Sequence, residues 1–136
     1  MTARARLLAL FIFLGGSGSA LAARAAAPPT QVRAEIEYLL GYLERSGCEF
    51  NRNGSWYDAK TARAHLEQKY AYLLDKNLVA RTEDFVARAA TNSSVSGKPY
   101  LVKCGSAAPV PSAQWFGVEL KRHRQAHPAG GAGTVR

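Results

Sequence analysis

The sequence predicts a small single domain of the α+β class, in which helices pack on a short antiparallel sheet of two or three strands. Three observations predict it: apolar residues recur at helical spacing, Asn53-Gly54 is a strong hairpin signal, and two cysteines stand far apart. The chain has 136 residues, of which 47% are hydrophobic and 21% charged. It is therefore long enough for one core and too apolar for intrinsic disorder.

Residues 1–22 have the three-part layout of a secretory signal peptide. Arg4 and Arg6 precede an apolar run at 7–14, glycine and serine then interrupt it, and Ala20-Leu21-Ala22 is typical of a cleavage site. A membrane span needs roughly 20 apolar residues, so the run is too short for an anchor. We expect cleavage after Ala22, a linker at 23–29, and no transmembrane segment in the mature chain.

The mature chain begins with a predicted helix and hairpin. Residues 30–45 form the helix, capped by Thr30 and ended by Ser46-Gly47. Its apolar positions fall on one stripe: Val32, Ile36, Leu39, Leu40 and Leu43. Two short strands follow, at 48–52 and 55–57, on either side of Asn53-Gly54.

The second half alternates helices with a strand. Asp58 is expected to cap a helix at about 59–76, and Thr82 a shorter one that ends near Ala89. A polar loop at 91–97, a strand at 100–104 and a last helix from Ser112 to about Leu120 follow. Because His, Pro and Gly dominate the end, we expect the globular domain to cover 30–122 and a disordered tail to cover 123–136.

Cys48 and Cys104 are expected to form a disulfide, because cysteines in an exported chain usually pair. Closing a loop of this length stabilises a fold by about 4 kcal/mol in the chain-entropy model. The bond would tie the first hairpin strand to the strand at 100–104. A redox or metal site is disfavoured because the chain has no CxxC pair and its three histidines are scattered, so no cofactor and no metal is expected.

Four segments, in order, resemble a known family: GCEFNRNGSWYDAKTARAHLEQKY, TEDF, SSVSGKPYLVKC and QWFGVEL. They are similar to the YfeK-like family of small exported bacterial proteins, a family of unknown function (DUF5329). The resemblance covers about residues 31–122 and implies a periplasmic setting in a Gram-negative bacterium. It implies no activity, substrate or catalytic residue.

The charge pattern argues against a nucleic-acid partner. The chain has 18 basic and 10 acidic residues, and the two signs interleave along it. Nucleic-acid binders usually concentrate positive charge on one face or helix. A mild preference for anionic envelope components remains open.

The candidate ligand site combines polar residues of the hairpin, the second helix and the late loop. They are Arg52, Asn53, Ser55, Tyr57, His65, Ser94 and Ser96. The disulfide would bring the hairpin near the serine loop, where an arginine and hydroxyl groups suit an anionic group such as a phosphate or carboxylate. Turn formation and solvation explain the same residues without a ligand, and the sequence favours this plainer explanation.

Catalysis would require His65 to act as a base for a loop serine. No third group is placed to orient the imidazole, and no GxSxG motif is present. A partly buried histidine more often bonds a backbone carbonyl. We therefore predict no catalytic residue and favour a non-enzymatic binding or accessory module for an envelope component or partner protein. The alternative is a small envelope hydrolase that uses His65 and a loop serine.

Overall fold

The structure, a computed structural model, describes residues 26–128. The helices are α1 (Thr30–Arg45), α2 (Ala59–Asp75), α3 (Thr82–Ala89) and α4 (Ser112–Ala126). The strands are β1 (Glu49–Arg52), β2 (Ser55–Tyr57), β3 (Leu101–Lys103) and β4 (Val110–Pro111). They form one antiparallel sheet in the order β2-β1-β3-β4. The α+β class is confirmed, and the sheet gains a fourth strand.

Strand β4 was predicted as loop because two prolines punctuate it. In the sheet, Val110 lies opposite Val102, and Pro111 lies opposite Leu101 at the sheet's edge. An edge strand tolerates proline because one side of it has no partner to which an N–H must donate. Prolines are typical of loops, and for this reason the short strand was not predicted.

The hairpin and the disulfide are confirmed. Asn53 and Gly54 both have positive φ, 53° and 87°, as a tight two-residue turn requires. Cys48 directly precedes β1, Cys104 directly follows β3, and the two are bonded. The disulfide therefore closes the end of the central strand pair.

The core lies between the helices and one face of the sheet. Its most deeply buried apolar side chains come from α1, α3, α4 and strand β3: Ile36, Leu39, Leu40, Leu43, Phe85, Val102 and Phe116. The apolar stripe predicted for residues 30–45 faces this core. Within residues 26–128, no helix is long and apolar enough to cross a membrane.

The helix boundaries confirm one predicted cap and correct two others. Thr30, predicted to cap α1, is instead the first residue of that helix. Asp58 caps α2, since its Oδ1 accepts the Thr61 N–H at 2.7 Å. The prediction for Thr82 was wrong: it is the first residue of α3, and its buried hydroxyl donates to Glu35. The carboxylate of Asp84 instead accepts the N–H groups of the two residues before α3, which secures the start of that helix.

The last helix is longer than the sequence predicted. Helix α4 continues to Ala126, four residues beyond the expected domain end at 122, because Arg124 is held by carboxylates of α1 and α3. The predicted signal peptide, residues 23–25 of the predicted linker and the last eight residues of the predicted tail lie outside the described residues.

Candidate functional site

The register of the central strands brings Arg52 and Tyr100 together. Phe50 lies opposite Val102, and Asn51 lies opposite Leu101. One further step along the same register places Arg52 opposite Tyr100. Because side chains alternate along a strand, both project from the face that carries buried Phe50. This face packs against α2, so both side chains reach toward His65.

His65 links these two residues and has a defined tautomer. Its Nδ1 lies 2.7 Å from Nη1 of Arg52, and its Nε2 lies 3.1 Å from the hydroxyl oxygen of Tyr100. A guanidinium nitrogen can only donate, so Nδ1 must accept and the imidazole proton resides on Nε2. The Nε2–H group then donates to Tyr100.

The Tyr100 hydroxyl also accepts a second hydrogen bond. Nζ of Lys69 lies 3.3 Å from the Tyr100 oxygen and 2.9 Å from the carbonyl oxygen of Asn92. With both bonds directed at the oxygen, the Tyr100 O–H proton has no acceptor among residues 26–128. The arrangement thus offers an unused hydroxyl donor beside an ammonium group.

The pKa values of His65, Lys69 and Tyr100 are shifted by burial and by the positive charges around them. Burial lowers the pKa of His65, and the neighbouring charges of Arg52 and Lys69 lower it further, so the imidazole is neutral at pH 7. Burial also lowers the pKa of Lys69, again with a contribution from Arg52. Burial raises the pKa of Tyr100, so its phenol keeps its proton.

No carboxylate of the described chain neutralises these groups. All ten acidic residues lie within residues 26–128, and each has its hydrogen bond or ion pair elsewhere. Eight of them pair with Arg63, Lys76, Lys103, Arg122 or Arg124. The other two, Asp58 and Asp84, accept backbone N–H groups at helix starts.

Two adjoining pockets open beside these residues. The inner pocket has a volume of about 50 Å³ and lies between the sheet and α2, with Phe50, Arg52 and Tyr100 on the sheet side. The outer pocket has a volume of about 360 Å³ and runs along α2 toward Arg88 of α3. His65 lines both. We call the two pockets together the basic cleft, whose basic residues are Arg52, His65, Lys69 and Arg88.

A model of a family of unknown function (DUF5329) matches residues 30–124. The chain belongs to this family. No curated protein and no solved structure matches the chain. The chemistry of the basic cleft is therefore the main indication of what this DUF5329 domain binds.

The structure brings four of the seven predicted site residues to the cleft. Arg52, Tyr57 and His65 line the inner pocket, and the Arg52 guanidinium carbon lies 5.1 Å from the centroid of the Tyr57 ring. Ser94 lines the outer pocket with His65. That these residues bind a ligand stays a prediction.

The other three predicted residues have different surroundings. Asn53 accepts a hydrogen bond from the Ser96 hydroxyl, which joins the hairpin turn to the serine loop. Ser55 is exposed on β2 and lines neither pocket. These three side chains support the rim of the site or lie outside it.

Among the residues of the cleft that the sequence did not predict, three matter for its charge and hydrogen bonds: Lys69, Arg88 and Tyr100. Lys69 could have been found, because it lies one helical turn after His65 and therefore on the same flank of α2. Tyr100 needed the register between β1 and β3, which no local pattern supplies. Arg88 needed the packing of α3 beside α2.

The geometry of His65 gives no support to serine chemistry. Both ring nitrogens are engaged by side chains, Arg52 and Tyr100, and no serine hydroxyl of the described chain bonds to either. The expected bond to a backbone carbonyl is wrong for the same reason. In addition, no three His, Cys, Asp or Glu side chains within residues 26–128 converge as a metal site would require.

Proposed function

We propose that this protein is an exported, non-enzymatic binding module that captures an anionic group of an envelope component or partner protein in the basic cleft. One observation carries the proposal: half-buried Arg52 and Lys69 flank the neutral His65 without a carboxylate, although the chain has ten carboxylates. Placing like charges together at a partly desolvated site is unfavourable. A bound anion offsets that cost.

The cleft also has the donors that an anion needs. Arg52 uses one N–H on His65 and keeps others, Lys69 keeps one of its three ammonium protons, and the Tyr100 O–H is unused. Hydrogen bonds to an ionised acceptor are roughly twice as strong as neutral ones. A carboxylate or phosphate at the junction of the two pockets would satisfy several of these donors at once.

Export is the second part of the proposal. The layout of residues 1–22 supports a cleaved signal peptide, and the Cys48–Cys104 disulfide suits an oxidising compartment. The resemblance to YfeK-like proteins supports the periplasm of a Gram-negative bacterium as that compartment. Within it, small organic anions and acidic groups on larger molecules are available ligands.

Native mass spectrometry tests both parts. The full chain is expressed with its own leader in a Gram-negative host and recovered from the periplasmic fraction. We expect the mass of residues 23–136 less two hydrogens, for the disulfide, together with an acidic non-covalent adduct. A retained leader or free thiols would contradict export.

A pair of charge variants tests the binding part. Arg52→Gln should remove the adduct, whereas Lys121→Gln should keep it, because Lys121 is an exposed lysine of α4 outside the cleft. Titration with acetate and with inorganic phosphate, followed by amide NMR shifts, gives the same comparison in vitro. If neither anion shifts the amides of Arg52, His65 and Lys69 and no adduct is recovered, the protein is not an anion-binding module.

A further inference from the structure

We infer that His65 couples anion capture in the basic cleft to proton uptake, so that the cleft binds an anion more tightly as the pH falls. In the free protein the neutral imidazole holds Arg52. A bound anion draws Arg52 away and leaves Nδ1 of His65 open to a proton from solvent. The inference rests on the proposed function and names how the same site is regulated.

The hydrogen bond from Arg52 and a proton on Nδ1 of His65 exclude each other. Nη1 of Arg52 lies 2.7 Å from Nδ1, and a guanidinium nitrogen can only donate. A proton on Nδ1 would therefore place two donors opposite each other at this distance. His65 becomes an imidazolium only when Arg52 has moved away from Nδ1.

The second ring nitrogen of His65 keeps its partner during this exchange. Nε2 lies 3.1 Å from the hydroxyl oxygen of Tyr100, and it carries a proton in the neutral and in the charged ring alike. The bond to Tyr100 therefore holds the imidazole in place when Nδ1 is protonated. Only Nδ1 changes, and Nδ1 faces the guanidinium that is proposed to bind the anion.

An anion is a stronger partner for Arg52 than the imidazole is. Hydrogen bonds to an ionised acceptor are roughly twice as strong as those to a neutral one, and a carboxylate or phosphate accepts two parallel N–H groups of a guanidinium. Within residues 26–128, no carboxylate pairs with Arg52 and competes for it. An anion in the cleft therefore reorients the guanidinium and breaks its bond to His65.

Among residues 26–128, the charged side chains that face His65 are all positive. The titratable and charged groups around the ring come from five elements or their ends: Arg52 of β1, Tyr57 of β2, Lys69 of α2, Arg88 of α3 and Tyr100 before β3. Burial lowers the pKa of His65 most, and the charges of Arg52 and Lys69 lower it further. A bound anion offsets these two charges, so the pKa of His65 rises although the ring stays buried.

The direction of the pH dependence follows from this rise in pKa. Because the complex binds a proton that the free protein does not, a falling pH favours the complex. The added affinity is complete below the His65 pKa of the free protein and is lost as the pH rises through the His65 pKa of the complex. The protonated ring also contributes a positive charge and a further donor, Nδ1–H, to the anion.

Sulfate and acetate are the probes, because both stay ionised between pH 8 and pH 5.5 and any proton taken up then belongs to the protein. The mature, oxidised protein is titrated with each anion at both pH values, and amide NMR shifts give the dissociation constant. This constant should fall about three- to tenfold from pH 8 to pH 5.5, as expected when binding raises the His65 pKa by about one pH unit.

Histidine NMR assigns the proton to one residue. The imidazole C–H signals of the three histidines, His65, His123 and His127, are followed through a pH titration with and without saturating anion. The pKa of His65 should rise by about one pH unit in the complex. The pKa values of the other two should stay unchanged, since neither lines the cleft. An unchanged His65 pKa would overturn the inference.

Two variants test the exchange between Arg52 and the proton. His65→Gln keeps an acceptor for Arg52 but takes up no proton, so its dissociation constant should differ by less than about twofold between the two pH values. Arg52→Gln removes the guanidinium, and the pKa of His65 should then rise without any anion. Lys121→Gln makes the same charge change outside the cleft and should leave the His65 pKa and the pH dependence of binding as in wild type.

The outcomes separate this inference from the proposed function. If an anion binds equally well at both pH values, or if acidification strengthens binding to His65→Gln as much as to wild type, the coupling is wrong while anion binding at the cleft stands. If phosphate alone binds, the His65 pKa measured with saturating phosphate decides in the same way. If sulfate, acetate and phosphate all fail to bind at either pH, the inference and the proposed function both fail.

Discussion

Positively charged side chains on the two flanks of helix α2 have different surroundings. On one flank, Arg63 lies within 2.8 Å of three carboxylates, those of Glu37, Glu44 and Glu67. On the other, Lys69 donates hydrogen bonds to a hydroxyl and a carbonyl oxygen and has no ion pair within residues 26–128. The first flank joins α2 to α1, whereas the second faces the basic cleft.

Helix α4 repeats the first pattern. Arg124 binds Glu35 of α1 at 2.8 Å and Glu83 of α3 at 2.5 Å, and Arg122, which is paired with Glu119 on its own helix, donates to the Tyr38 hydroxyl of α1 at 2.7 Å. Arginines among the helices therefore serve as ties between elements. The difference shows that net charge and its distribution along the chain say little about the surface, because the fold decides which cations meet a carboxylate: five of the fourteen lysines and arginines within residues 26–128 do, and Arg52 and Lys69 do not.

The largest expected effect concerns the covalent link beside the cleft. Replacing both cysteines, Cys48→Ala with Cys104→Ala, should lower the free energy of unfolding by about 4 kcal/mol, since a loop of 56 residues is no longer closed in the unfolded chain. Urea unfolding measures it. Reduced wild-type protein is the control and should match the variant, whereas a loss below about 1 kcal/mol would contradict the prediction.

Replacing an arginine that is paired with carboxylates should have the next largest effect on the free energy of unfolding. Arg124→Gln leaves the buried carboxylate of Glu35 without its partner. Breaking a fully buried ion pair costs about 3–5 kcal/mol, but the Arg124 side chain is 41% exposed, so we expect a loss of about 2 kcal/mol in urea unfolding at pH 7. Lys121→Gln on the same helix should change stability by less than about 0.5 kcal/mol.

The effect of Arg124→Gln should also depend on pH. The hydrogen bonds from Arg124 hold the pKa of Glu35 at about 2, against the opposing effect of burial and with help from Thr82. A lowered carboxylate pKa contributes stability that is complete above its unfolded value of 4.5 and is lost as the pH falls toward 2. The difference in free energy of unfolding between wild type and Arg124→Gln should therefore decrease from pH 5 to pH 3. A difference that stayed constant would show that Arg124 acts through packing alone.

Replacing a lysine that has no carboxylate partner should have the opposite effect on the free energy of unfolding. Lys69→Met replaces a partly desolvated ammonium beside Arg52 with an apolar side chain of similar length. We expect the free energy of unfolding to stay equal or to rise by up to about 1 kcal/mol. Arg63→Met on the other flank of α2 is the matched control and should lose about 1 kcal/mol. If both variants lose stability equally, the two flanks do not differ.

The sequence predicted most of the fold because its signals were local. Helical periodicity, the Asn53-Gly54 turn and the Asp58 cap each depend on a few neighbouring residues, and the paired cysteines supplied one long-range constraint. Strand β4 was missed because its two residues carry no pattern of their own. The start of α3 was misassigned because Thr82 looks like a cap, yet its buried hydroxyl serves Glu35 on α1.

The candidate site was less predictable than the fold, for a physical reason. Arg52, Tyr57, His65 and Ser94 were selected by residue type, but their relation to one another depends on strand register and helix packing. Tyr100 was read as a strand residue and Lys69 as one charge among interleaved charges. Neither pattern in the sequence indicates that Lys69 donates a hydrogen bond to Tyr100 beside His65.

The smallest expected effect tests the neutral state of His65. Because its folded pKa lies below the ordinary 6.5, the unfolded chain binds a proton more readily, and this residue's contribution to stability should fall as the pH drops below about 6.5. Arg52 and Lys69 face the imidazole as charges, and Tyr100 bonds it.

His65→Gln keeps an acceptor for Arg52 and a donor for Tyr100 without titrating. Urea unfolding at pH 8 and pH 5.5 should therefore show wild type losing more stability than the variant, by less than about 1 kcal/mol. The lowered pKa of His123 acts in both proteins and cancels. If wild type instead gained stability relative to the variant on acidification, His65 would be protonated in the folded protein, and the hydrogen bond from Arg52 to Nδ1 would have to be abandoned.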